Sequence, residues 1–501
     1  MRIIVKIVKW LLGLIVLAIA ALVAWLYFAP PELIRVGSGY SAKIVCSNVF
    51  IAGRDPNEVL AVDVQAPGHP LLRLMRVSVD KNRGTVSAGL LGFLGKSEAV
   101  ARDGLGCASV PDGDVGKARR TAVYAEPAAT SQDALWPEGE RVDASQNPEI
   151  LKIVADNAMA GTGMRAIVVV KNGRVVAERY GDGFSVKTPL LGWSMTKTVN
   201  AAIVGTLIRD GKLAVDNKGL FTPWKVDGRA AISLADMMAM SSGLEFNEDY
   251  GDVADVTRML YLEPDMAGFA GSKPLTGEVG KVFSYSSGTA VMLSRLWQDA
   301  IGDRAKALTW PRMALFEPLG MHSAVLETDE QGTFVGSSYL YATAHDWARF
   351  GQFLLQGGVW NGNQVLPAGF VDWMREPASA SKVYGKGQLW IEAPGDEENP
   401  GAGVAAGLPK DTYWMEGHDG QTVAIIPSEQ LVVVRLGLTP AKLNYRPQAL
   451  VGALVKALHL TSSVARSRPA RHSHDKACEN GRLRRFARLP IPERRTGIRA
   501  A

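Results

Sequence analysis

Nineteen consecutive residues without a charge, Trp10 to Phe28, constrain this 501-residue chain more than any other stretch. At about 1.5 Å per residue a helix of that length spans roughly 28 Å, close to the hydrocarbon core of a bilayer. Arg2, Lys6 and Lys9 precede the run, and Trp10, Trp25 and Tyr27 sit at its ends as interfacial aromatics do. Positive charge ahead of the span holds the N-terminus in the cytoplasm and exports the remainder of the chain. A cleaved signal peptide is the competing reading, but its apolar region is shorter, and Pro30 and Pro31 stand where cleavage would fall. Residues 1–29 are therefore expected to form an uncleaved N-terminal transmembrane helix with the lipid bilayer as partner. In a bacterium the protein would be a single-pass inner-membrane protein with a periplasmic body.

Export makes the cysteines informative, because oxidising compartments permit disulfides. Cys46 and Cys107 fall in the same early region and are expected to pair, leaving Cys478 free in the tail. The formal charge of +5 points to no nucleic acid: residues 461–501 hold eleven Lys/Arg against three Asp/Glu, so the rest of the chain is about −3. That basic tail has few apolar residues and no periodicity, which predicts disorder.

Between anchor and tail, residues 30–146 are Gly- and Val-rich with short alternating runs, which reads as a small β-rich extension. From residue 147 a helix leads into two strands joined by Asn172-Gly173, a hairpin turn signal. A mostly helical stretch follows, with capping-box patterns at Ser233/Asp236 and Thr343/Asp346; His345 lies inside the second and is read as structural. Three strands resume after Asp411, and a helix closes the region near Leu460. Strands at both ends with helices between imply an α/β (α+β) fold, an antiparallel sheet flanked by helices with an inserted helical lobe, over residues 147–460.

Ser-x-x-Lys occurs four times, at Ser78/Lys81, Ser194/Lys197, Ser379/Lys382 and Ser473/Lys476. Only Ser194 opens a helix: Val199, Ala202, Ile203, Thr206 and Leu207 repeat at helical spacing and Gly211 stops it. Residues three apart share a helix face, so Ser194 and Lys197 can touch. A reactive serine needs a base, a proton relay and oxyanion donors. Lys197, neutralised by burial, can accept the serine proton. Tyr285, just before another apolar helix, can relay it. The backbone amide of Gln421 can join that of Ser194 as oxyanion donor, with His418 and Gly420 on a strand beside the substrate. Trp193 and Trp390 are candidate pocket walls. The alternatives are a capping role for Ser194, a core tyrosine at 285 and a turn-stabilising histidine at 418.

Order and spacing of these residues resemble the serine hydrolases of the β-lactamase and penicillin-binding-protein superfamily. Ser194-Met195-Thr196-Lys197 corresponds to the first motif, Tyr285-Ser286-Ser287 to the Tyr-x-Asn of the class C branch, and His418-Asp419-Gly420 to the third. The resemblance runs over residues 147–460 and implies a β-lactamase-like fold. Within the superfamily "SSGLEFNEDYGD" resembles the 6-aminohexanoate-dimer hydrolase and family VIII esterase group, in which a tyrosine matching Tyr250 helps hold an amide substrate. Ser287 and His418 depart from the asparagine and lysine of β-lactam binders, so both are expected to bind a different substrate. The reading is an amide or ester hydrolase working through an acyl-serine on a small molecule, without cofactor. Zinc is not expected, because the histidines are scattered. A D-alanyl-D-alanine carboxypeptidase or β-lactamase, and an inactive tethered binding domain, are the alternatives; oligomeric state is left open.

Overall fold

The structure is a computed structural model in which residues 2–66, 68–121, 131–145, 147–396 and 398–467 are described. The chain divides into two units, Met1–Leu458 and His459–Ala501. Of the second, only the end of a helix spanning Pro447–Ser467 is described, so the expected disorder of the tail, and Cys478 with it, lie outside the described residues beyond 467.

Among the described residues one helix, Arg2–Phe28, is long and apolar enough to cross a membrane or serve as a signal sequence. None of its residues is buried.

The body is organised by a five-stranded antiparallel sheet. Its edge strand is Tyr413–Gly417, followed inward by Gln421–Ile426, Leu431–Gly437, Met164–Lys171 and Arg174–Tyr180. The first hairpin and the late three strands join where Leu431 pairs with Lys171 and Leu436 with Ala166, so segments some 260 residues apart zip into one sheet. Both faces are covered. Val168, Val170, Val423, Ile425 and Val432 pack with Val199, Ile203 and Trp347 on one side. Ile167, Val169, Ala424 and Val433 pack with Ile150, Val154, Leu450 and Leu454 on the other. Burial on both faces explains why "AIVVV" and "LVVVRL" read as continuous apolar runs rather than alternating ones. A helical lobe, including Asp255–Leu262 and Ser287–Ile301, is inserted between the sheet's early and late strands. The mixed α/β, β-lactamase-like architecture expected from the sequence is the one observed.

Residues 30–146 differ from the expected β-rich extension. A four-stranded antiparallel meander, Met75–Asp80, Thr85–Leu90, Leu94–Arg102 and Gly106–Val110, is present, but a 19-residue helix, Glu32–Phe50, precedes it. That helix is buried nearly all round, so it has no amphipathic stripe, and its Ser, Gly and Val content is poor in helix formers.

Nor does the segment stand apart from the body. At Gly39 an added Cβ would lie 2.9 Å from the Cβ of Tyr261, so the helix crosses Asp255–Leu262 at close range. Buried Lys43 donates to Glu327, which also accepts from Ser47 Oγ at 2.9 Å and from the Cys107 amide at 2.5 Å. Asp63 is held between Arg54 and Arg165 at 2.8 and 2.7 Å. Cys46 and Cys107 are joined by a disulfide that ties the helix to the meander.

Candidate active site

Ser194 is the residue at which the helix Met195–Arg209 begins, yet its side chain makes no capping hydrogen bond. Trp193 before it has φ +49°, a left-handed conformation that bulky residues adopt only when their surroundings force it. The hydroxyl is thereby turned from helix capping to Lys197, whose Nζ lies 3.1 Å from Ser194 Oγ.

Lys197 is buried, and its Nζ has two further partners, Ser287 Oγ and the Ser337 carbonyl, each at 3.1 Å. The Ser337 carbonyl can only accept. Ser287 spends its own proton on Glu248 Oε1, while its backbone amide donates to Glu248 Oε2 at 2.8 Å, so Ser287 Oγ must also accept from the amine. A neutral amine has two protons and one lone pair. With both protons committed, the lone pair is left for the Ser194 hydroxyl. Burial pushes Lys197 down to about 8, against the opposing pull of Glu248.

Tyr285 is buried beside the same lysine; burial raises its pKa well above the ordinary phenol value, outweighing the Ser194 hydroxyl, which favours the phenolate. It therefore holds its proton where Lys197 can lose one, which separates base from proton relay. Lys197 Nζ also sits 4.6 Å from the centre of the Tyr285 ring. Trp390 packs on Tyr285 at 5.5 Å and on Tyr384 at 4.9 Å, and its backbone amide donates to the Trp414 carbonyl at 2.9 Å. It braces Tyr285 from behind.

Tyr250 stands beside the same cluster, its hydroxyl 3.5 Å from Ser287 Oγ and its ring stacked 5.6 Å from His418. Trp193 meets His418 edge-on at 5.6 Å. Ser194, Lys197, Tyr285, Ser287, Tyr250, His418 and Trp193 thus converge.

The third-motif turn departs from expectation. His418–Gly420 is a single turn between the edge strand and the next, not part of a strand. Gly420, at φ +82°, serves that turn, and a Cβ there would lie 3.0 Å from Arg435 Nη1. Gly417 permits a close approach of another kind, between backbones: a Cβ there would lie 2.2 Å from the Gly192 carbonyl oxygen, a contact that had to be read from the fold. Gln421 begins the second strand, with its side chain closed on Gly437: its amide donates to the Gly437 carbonyl and its Oε1 accepts from the Gly437 amide at 2.9 Å. Sequence reasoning also missed Glu248 and Ser337. Glu248 belongs to no motif, and Ser337 acts through a carbonyl that every residue carries.

His345 is far from this cluster in role. It is buried between Glu140 and Glu178, at 2.6 and 2.7 Å, and Arg349 closes on Glu140 at 2.9 Å. Among the described residues no group of three or more His, Cys, Asp or Glu is placed to hold a metal ion.

A serine bonded to a buried lysine, with a buried tyrosine beside that lysine, at the head of a helix against an antiparallel sheet, is the arrangement of an acyl-transferring serine hydrolase. Residues 153–445 match the Beta-lactamase family, and the chain belongs to it. It is 25% identical over 305 residues to a 6-aminohexanoate-dimer hydrolase of Paenarthrobacter ureafaciens, covering 55% of this chain and 72% of that protein. The solved structure of a 6-aminohexanoate-dimer hydrolase homologue from Bacillus anthracis shares the fold at TM-score 0.50 and 22% identity, covering 60% of this chain and 80% of that one. The protein is a serine hydrolase of the β-lactamase and penicillin-binding-protein superfamily, acting on amide or ester bonds.

Proposed function

We propose that the chain is a membrane-tethered, exported hydrolase that opens a small linear amide or an ester through an acyl-serine at Ser194. The observation that carries the mechanism is the three-way commitment of Lys197 Nζ to Ser194, Ser287 and Ser337. Lys197 takes the Ser194 proton as Oγ attacks the carbonyl carbon. Tyr285 passes its proton to the leaving group as the carbon–heteroatom bond breaks and regains one from the Lys197 ammonium, which restores both groups; water then releases the acyl group along the same path. The Ser194 amide is one oxyanion donor; the second comes from the strand-end backbone at 417–421, where Gln421 is the sequence candidate. Tyr250, Ser287 and His418 line the substrate side, with Trp390 behind Tyr285.

The amide preference rests on likeness to the Paenarthrobacter ureafaciens protein. Glu248 argues against β-lactams and D-alanyl peptides: it sets an anion against Ser287, where a substrate carboxylate would be repelled. Tethering is supported by the Arg2–Phe28 helix and by its basic flank. Periplasmic placement of the body is supported by the Cys46–Cys107 disulfide. The experiment is a fluorophosphonate probe on the full chain followed by a panel of esters, linear amides and benzylpenicillin. Labelling at Ser194 alone, with esters and amides turned over faster than penicillin, is expected. Labelling that survives Ser194→Ala would remove the mechanism.

A further inference from the structure

An apolar pocket of about 140 Å³ adjoins the reacting centre, and its two walls come from different parts of the chain. Trp193, Tyr250 and His418 form the wall shared with the site; Leu33, Leu71 and Leu72 form the other. The second wall lies wholly outside the family match, which begins at residue 153. It is held in place by the close crossing at Gly39 and Tyr261 and by the Asp63 ion pairs. Trp193 is the nucleophile's chain neighbour, and the Tyr250 hydroxyl lies 3.5 Å from Ser287 Oγ, so the pocket is one residue removed from Ser194 and Ser287. Apart from the tyrosines, the ionisable residues of the lining are His69 and Asp252, both exposed, and His418, whose side chain is half-exposed, which leaves the interior to uncharged groups.

We propose that residues 33–72 complete a substrate subsite, and that the substrate is an ester or amide carrying an uncharged apolar group of about six carbons next to the scissile bond. The size is set by the volume, since an apolar cavity of about 150 Å³ accepts one benzene-sized molecule. The inference rests on the serine-hydrolase reading of Ser194. The segment therefore acts as a specificity wall and not as a spacer between helix and enzyme.

Two ester series on the detergent-solubilised full chain test this: p-nitrophenyl alkanoates from acetate to decanoate, and acetates of the matching n-alkanols. In one series kcat/KM should climb about fourfold per added methylene, the worth of burying one such group, and level off near six carbons. Leu33→Trp and Leu71→Trp should flatten that climb. Leu33→Ala and Leu71→Ala, which guard against misfolding of the larger variants, should carry the plateau to longer chains. If both series are flat, or the plateau ignores all four substitutions while Ser194 is still labelled by fluorophosphonate, the subsite is wrong. Failure of the wild-type protein to label at Ser194 would instead overturn the reading beneath it.

Discussion

Lys197 and His345 are both buried bases, and they are set in opposite directions. Burial alone disfavours the charged form of either. Around Lys197 the touching groups are two hydroxyls and a carbonyl, with the nearest carboxylate, Glu248, one serine removed. Burial wins, and the amine falls to about 8. Around His345 burial also pulls down, but carboxylates touch both ring nitrogens, and the imidazole rises to about 8. The same desolvation prevails in one place, bringing a lysine down to where it can lose its proton near neutral pH, and is outweighed in the other, where the histidine keeps its proton to higher pH than an ordinary imidazole. Direct contact with an anion, rather than depth, decides which.

The largest expected effect comes from breaking the first centre. Lys197→Ala should cost turnover nearly as much as Ser194→Ala, because groups acting as one unit give non-additive losses; Tyr285→Phe should cost about 10²-fold or more. Lys197→Met should leave the thermal midpoint unchanged or higher, because it removes a buried amine without a touching counter-ion.

Breaking the second centre should do the reverse. His345→Gln leaves two glutamates without their shared cation and should cost about 3 kcal/mol in denaturant unfolding, with kcat within about twofold of wild type. Because the folded-state pKa of His345 is raised, its contribution is full below the ordinary histidine value of 6.5 and is lost as pH rises through about 8. The wild-type protein should therefore lose stability over that window, and His345→Gln should remove this slope. Removing the disulfide by Cys46→Ser should cost about 2–4 kcal/mol, read by the same unfolding measurement.

How far this contrast could be read in advance differed by centre. Ser194, Lys197 and Tyr285 were legible because a helix start, a three-residue spacing and a second apolar helix each leave a local pattern. The sheet was legible because its strands are long, apolar and separated by turn residues such as Asn172-Gly173. The helix Glu32–Phe50 was not, since burial on all sides erases the stripe by which helices are recognised. Glu248 was hidden in a loop, and what matters is its distance from Ser287, 39 residues away in sequence. Gly417 and Gly420 look alike in sequence, and only the path of the edge strand distinguishes the one that meets Gly192.

The smallest expected effect tests the central claim most directly. Because only the neutral amine can accept the serine proton, the rate of fluorophosphonate labelling at Ser194 should rise with pH through about 8. Glu248 raises the Lys197 pKa, so Glu248→Gln should move that limb to lower pH, by about one unit or less. A labelling rate independent of pH across this range, or a limb that Glu248→Gln moves to higher pH, would contradict the account of Lys197 as a base set by the neutrality of its contacts.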